Sequence, residues 1–258
     1  MRHLLAITLV ALVALVGCKS STTREDRLLR DLADLDKQTI FDQAETLYED
    51  GKYSDSRELF SFVYDTFPND PLGHKAALRV ADTYAKKKDS VSLTEARLRY
   101  KDFANRYPND PDRDYALLML GKTFSERRKR PDRDLTPLLE SLDAYQQLLN
   151  LYPGSPHAPE AREQMALVKE TLAEHEWLVA KFYFRNKRWR GVEARLEYLQ
   201  EHYPDYSRMD QVDEALTVAK DEIAKFQALV QKLQDERQAE VDTAEEDDES
   251  TTEPLTGQ

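Results

Sequence analysis

Residues 44–68 read AETLYEDGKYSDSRELFSFVYDTFP, and residues 180–204 read AKFYFRNKRWRGVEARLEYLQEHYP. Both segments open on a small residue (Ala44, Ala180) and close 24 positions later on a proline that follows an aromatic (Phe67-Pro68, Tyr203-Pro204). In the first, Tyr48, Gly51, Tyr53, Ser56, Phe60 and Val63 hold the places that Phe184, Lys187, Trp189, Val192, Leu196 and Leu199 hold in the second. Small residues at these intervals let two antiparallel helices approach, and rings fill the gap between them.

The same punctuation recurs at Tyr107-Pro108 and Tyr152-Pro153, but the spacing stretches: Ala81 to Pro108 is 27 positions and Gly121 to Pro153 is 32. Three and eight extra residues are therefore expected in the turns, at Lys86 to Leu93 and around Arg127 to Thr136, both polar as loop insertions should be. The step from one repeat's proline to the next repeat's small residue is 13 for the first two repeats and 27 from Pro153 to Ala180. Those 14 added residues make about four helical turns. They predict one long helix over about 156–186, with Ala158, Ala161, Met165, Leu167, Val168, Leu172 and Leu178 on its buried side. A last helix is expected from Met209 to about Arg237. Since each pair leaves an apolar face that only a neighbour can cover, the expected fold is all-α, a tetratricopeptide-repeat superhelix of about four to five helix pairs.

Composition agrees, with only 7 Gly and 11 Pro in 258 residues. The net charge of −12 argues against a phosphate-rich partner, which a basic domain would normally meet, so no nucleic acid is expected. Eight carboxylates and no Lys or Arg fall in residues 239–258, which read as a disordered acidic tail. The expected organisation is N-terminal repeats over 39–154 and C-terminal repeats over 155–238.

At the amino terminus, Arg2 precedes an apolar run from Leu4 to Val16, too short to span a bilayer and shaped like a secretory signal over 1–17. It ends in Leu15-Val16-Gly17-Cys18, the pattern of a bacterial lipobox. Cys18 would carry a diacylglycerol and an N-acyl chain, anchoring the protein by lipid alone, with 18–38 as a tether. Lys19 after that cysteine favours the outer membrane by the sorting rule of enteric lipoproteins.

Little else points to chemistry. His74, His157, His175 and His202 lie on separate repeats without a metal-ligand spacing, and no phosphate loop or nucleophile elbow is present. Neither a catalytic residue nor a metal is expected, and no cofactor beyond the lipid. Surfaces remain. Residues 178–199 hold six cations (Lys181, Arg185, Lys187, Arg188, Arg190, Arg195) against Glu193 and Glu197, a reversal of the chain's overall sign. Phe182, Tyr183 and Phe184 are successive, so at about 100° per residue they cannot share one buried face. With Arg188, Trp189, Arg190 and Arg195, the exposed members have the composition of an interface hot spot. A second basic run, Arg127, Arg128, Lys129, Arg130 and Arg133, reads as a solvated loop. Tyr48, Tyr53, Tyr84 and Tyr100 offer a candidate groove for an extended or helical peptide, though the same rings are also repeat core.

These features together resemble the BamD (YfiO/ComL) family of outer-membrane lipoproteins. The resemblance rests on the lipobox, on Tyr48, Gly51 and Tyr53, on Pro108-Asn109-Asp110-Pro111 leading to Asp114-Tyr115-Ala116, and on Pro131-Asp132-Arg133-Asp134. Its most distinctive part is the long helix into Val179-Ala180-Lys181-Phe182-Tyr183, joined to Trp189, Val192, Arg195 and Tyr203-Pro204. It implies a non-enzymatic scaffold of the β-barrel assembly (BAM) machinery, lipid-anchored and facing the periplasm. Its C-terminal repeats would dock on a POTRA domain of a BamA-like barrel protein, other BAM lipoproteins would join it, and its N-terminal groove would meet unfolded outer-membrane proteins. On that basis Phe182, Tyr183, Arg188, Trp189, Arg190 and Arg195 form the docking set, and Arg195→Glu would weaken docking without loss of helix. The missing turn glycine at Lys187 and the long acidic tail depart from the family pattern. The competing reading is a tetratricopeptide lipoprotein for peptidoglycan, division or pilus-secretin assembly, which normal porin levels on depletion would favour.

Overall fold

The computed structural model describes residue 32, residues 34–125 and residues 134–251, with side chains described as far as 243. The signal segment, Cys18, most of the tether and the basic run Arg127 to Arg133 lie outside the described residues. Nine helices and no strands are found among the described residues. They are α1 (Lys37–Glu49), α2 (Tyr53–Thr66), α3 (Pro71–Ala85), α4 (Ser90–Arg106), α5 (Arg113–Ser125), α6 (Thr136–Leu151), α7 (Ala158–Arg185), α8 (Trp189–His202) and α9 (Met209–Thr251). The chain divides into two compact units, Met1–Phe103 and Ala104–Gln258, with the boundary inside α4.

In the first unit α1 packs on α2, and α2 on α3. Its core gathers Ile40, Phe41, Ala44, Leu59, Phe60, Val63, Ala76 and Val80, with Phe41 edge-on to Phe60 at 5.1 Å. In the second unit each of α5 to α9 packs on the next.

Insertion arithmetic survives in the packing. Ala44, Ala81, Gly121 and Ala180 are all buried, and so are the residues that face them once the three- and eight-residue insertions are allowed for: Ser56, Ala96, Ser141 and Val192. The close approach is direct. Ser56 Oγ donates to the Ala44 carbonyl at 2.9 Å, and Ser141 Oγ donates to the Gly121 carbonyl at 2.8 Å. A Cβ on Gly121 would lie 2.4 Å from the Tyr145 ring, so no larger residue fits there without displacing a buried aromatic.

The turn residue seven places after Ala44, Ala81 and Ala180 shows the same economy. Gly51, Lys88 and Lys187 occupy equivalent places and have φ of 77°, 57° and 53°. All three are left-handed, a conformation that glycine adopts freely and a side chain adopts at a cost of about 1–2 kcal/mol. Lys187 thus replaces the turn glycine in sequence while keeping its backbone shape.

Three expectations are corrected. The three added residues do not all form a loop: Asp89 accepts from the Val91 and Ser92 amides, and α4 starts at Ser90, so part of the insertion becomes an extra helical turn. On α7, Leu167 and Leu178 are exposed and Met165 only half-buried, while Ala173, Glu176 and Trp177 join Ala158, Ala161, Val168, Leu172 and Ala180 on the buried side. At about 100° per residue, Leu167 and Leu178 fall on the side opposite that stripe. Finally, α9 does not stop near Arg237; the acidic run is helical to Thr251, with i,i+4 bonds such as Gln238 Nε2 to Asp242 Oδ1 at 2.8 Å along it.

Candidate partner-binding sites

In the second unit, the end of α7 and the start of α8 carry the residues proposed for docking. Phe182 is 53 % exposed, and its ring stands edge-on to Tyr183 at 5.8 Å. Tyr183 is half-buried because its ring lies over Gly191, where even a Cβ would be 3.1 Å away. Phe184 and Trp189 close the turn from inside, edge-on at 5.2 Å. Arg188 and Arg190 are exposed, and among the described residues neither has an ion-pair partner.

Arg195 behaves differently. Its Nη1 donates to Glu176 Oε2 at 2.9 Å, and that carboxylate is buried on α7. Arg195 is therefore the counter-ion of a buried acid, although its side chain stays 44 % exposed. This corrects the expectation for Arg195→Glu: the change would set two carboxylates together at a helix contact and disturb the fold as well as any docking.

Two hollows flank this ridge. The larger, about 590 Å³, is lined by Lys187 to Gly191 on one side and by Glu222, Ile223, Lys225, Phe226 and Leu229 of α9 on the other. The smaller, about 200 Å³, is almost wholly apolar and lies among Trp177, Ala180, Phe184, Val192, Leu196 and Ala215, with Lys181 and Arg185 also lining it. Trp177 Nε1 is buried and has no hydrogen-bond acceptor among the described residues. The α9 wall of the larger hollow was not anticipated, although the spacing of Ile223, Phe226, Val230 and Leu233 is visible in the sequence.

The tyrosine set in the first unit is mostly engaged. Tyr100 is fully buried and donates to Asp82 Oδ1 at 2.5 Å, so it is core and lines no groove, contrary to the expectation. Asp82 also accepts from Arg79 Nη1 at 2.9 Å, and Arg79 grips Glu45 with Nε at 2.7 Å and with Nη2. The Arg79 guanidinium lies 4.1 Å from the centre of the Tyr48 ring, and Tyr53 stands edge-on to Tyr48 at 5.4 Å. Burial, with the Asp82 charge adding to it, pushes the Tyr48 hydroxyl up to about 12. Tyr84 is covered by Arg57 at 3.7 Å and Arg99 at 5.2 Å. Arg57 Nη2 and Arg99 Nε are buried without a hydrogen-bond acceptor among the described residues.

No group of His, Cys, Asp and Glu suited to a metal occurs among the described residues. His157 packs on Tyr115 at 5.5 Å and His202 stacks on Tyr198 at 4.0 Å, both in aromatic contacts. No helix of the described residues is long and apolar enough to cross a membrane.

Paired helices of repeated spacing define a helical-repeat protein, which here exposes a basic aromatic ridge. The chain belongs to the YfiO family, described as outer membrane lipoproteins, whose model matches residues 33–240. Among similar proteins is the outer membrane protein assembly factor BamD of Haemophilus influenzae, 26 % identical over 216 residues, covering 80 % of this chain and 79 % of that protein. The BamD proteins of Pasteurella multocida and Vibrio cholerae are each 27 % identical, covering 80 % and 76 % of this chain and 79 % and 82 % of their own lengths.

Proposed function

We propose that this protein is a lipid-anchored scaffold of the outer-membrane β-barrel assembly machinery, held at the periplasmic face by acyl chains on Cys18. It works without catalysis, by positioning other polypeptides. The observation that carries the reading is the family match over most of the chain, together with relatives named as outer membrane protein assembly factors. Phe182, Arg188 and Arg190 form the contact with a POTRA domain of a BamA-like barrel protein, with Tyr183 and Trp189 as their support. Two exposed guanidinium groups beside an exposed ring suit an acidic or carbonyl-rich partner surface. Unfolded outer-membrane proteins engage the first unit beside Tyr53 and Tyr84, whose partly exposed rings suit the side chains of an extended chain.

The test is a double substitution, Arg188→Glu with Arg190→Glu. Because neither side chain is paired within the described residues, helical circular dichroism should not change, while co-purification of the barrel protein should fall at least about tenfold. Undiminished co-purification sinks this docking surface. Normal barrel-protein levels on depletion sink the assembly role.

A further inference from the structure

We propose that the smaller hollow, among α7, α8 and α9, seats an apolar side chain from an acidic segment of the protein that docks on the neighbouring ridge. This rests on the docking reading above and adds to it the size and charge of what is bound. The segment from α1 to α3 matches that from the end of α7 to the start of α9 without a gap. Ala44 to Ala180 is 136 positions, and the same step takes Phe41 to Trp177, Phe60 to Leu196, Ala76 to Val212 and Val80 to Leu216. All of these are buried, so the register holds in the packing as well as in the sequence. It also takes Arg79 to Ala215 and Glu45 to Lys181. In the first unit the Arg79 guanidinium lies 4.1 Å from the centre of the Tyr48 ring and 5.7 Å from that of Phe60, and its Nε donates to Glu45 at 2.7 Å. One long side chain fills the space there, and an acid at the edge holds its charged end. In the second unit Ala215 brings only a methyl group to that place, and the hollow of about 200 Å³ is what is left, lined by Phe184 and Leu196 where Tyr48 and Phe60 stand in the first.

Lining and edge fix the kind of occupant. The walls are almost wholly apolar, so the part that enters is apolar. At about 200 Å³ the space falls below the range of about 300–1,000 Å³ usual for small-molecule pockets and suits a single side chain. Its edge has changed sign relative to the first unit: Lys181 stands for Glu45 and Arg185 for Glu49. Both cations are exposed, and among the described residues neither has an ion-pair partner. Lys181 Nζ lies 5.8 Å from the centre of the Trp177 ring, which keeps it beside the hollow. The edge therefore favours carboxylates next to the entering side chain, the charge pattern of Glu45 and Arg79 inverted. An apolar anchor in a pocket bordered by charged contacts is the usual build of an interface hot spot.

The test fills the hollow from within and measures binding to the soluble periplasmic part of the barrel protein from the same organism, using the mature chain from residue 18 with Cys18→Ser. Ala215→Leu puts a branched side chain into the space, and Ala215→Arg with Lys181→Glu rebuilds the arrangement of the first unit. Each should keep the helical circular dichroism and a thermal midpoint no lower than the parent's, and each should raise the dissociation constant at least about tenfold. Lys181→Glu with Arg185→Glu, both at exposed positions, should weaken binding to a similar extent. The sequence holds two tryptophans, Trp177 in the small hollow and Trp189 outside it. With fluorotryptophan placed in this chain alone, Trp189→Phe assigns the two fluorine resonances, and the unlabelled partner should shift that of Trp177. Filled chains that bind as well as the parent, or a bound parent whose Trp177 resonance stays in place, overturn this proposal and leave the docking surface standing. If the filled chains fail to fold, the charge reversal and the Trp177 resonance decide. A parent that does not bind at all overturns both.

Discussion

The helix pairs α1–α2 and α7–α8 share one spacing rule and differ in where their charges end. Around the first, Arg79 is spent on Glu45, Asp82 and the Tyr48 ring, and Tyr100 turns inward to the same Asp82. Around the second, Arg195 is drawn inward by Glu176, while Arg188 and Arg190 stay exposed. Two pairs built on the same interval thus present different surfaces. The interval sets the backbone and the core; the position of a buried carboxylate decides which arginines remain for a partner.

Removing those carboxylates is the sharpest way to break the comparison. Asp82→Ala takes the acceptor from a fully buried tyrosine and from Arg79 at once, and should cost about 3–4 kcal/mol in chemical denaturation. Glu176→Ala frees an arginine that already reaches water, and should cost only about 1 kcal/mol. Similar losses in both would mean that the fold depends on Arg195 no less than on Arg79.

A smaller contrast lies in the turns. Gly51→Ala should lose about 1 kcal/mol, because alanine must take a φ of 77°. Lys187→Gly should gain up to about 1 kcal/mol by the reverse argument, less the entropy that glycine adds to the unfolded chain. Thermal melts of the two variants shifting in opposite directions would bear this out.

The least effect concerns acid. Asp70 caps α3 and is held below the usual carboxylate range by the hydrogen bond from Lys37 and by the Leu72 amide. Asp36 at the start of α1 is lowered by Thr39, through its side chain and amide, and by the Gln38 amide. A carboxyl whose folded pKa is depressed adds stability that is complete above its unfolded value near 4 and disappears as pH falls through the folded value. No side-chain cap stands at α7 or α8. Amide exchange should therefore rise in α1 and α3 before α8 as pH drops below about 4, and Asp70→Asn should flatten that response for α3.

Much of this architecture could be read before any coordinates. Proline after an aromatic marked the end of four helices, and counting back to the small residues located the insertions, because the close contact of Ser141 with Gly121 admits no slip. Buried acids were harder to see. Nothing local distinguishes Glu176 from a solvated glutamate until α8 brings Arg195 against it. The buried side of α7 was misjudged where leucine's hydrophobicity was weighed above its angle, at Leu167 and Leu178. Likewise, composition marked residues 239–251 as unstructured, but a helix already extended by the seam from Val212 continues through them.

The span from Gly121 to Pro153 is eight residues longer than that from Ala44 to Pro68, yet Gly121, Ser141 and Tyr145 are as deeply buried as Ala44, Ser56 and Phe60, and Ser141 keeps the bond to the facing carbonyl that Ser56 makes. The linker's length is thus decoupled from the fit of the helices it joins. An affinity tag or a reporter spliced between α5 and α6 should accordingly leave the seat of Ser141 on the Gly121 carbonyl intact.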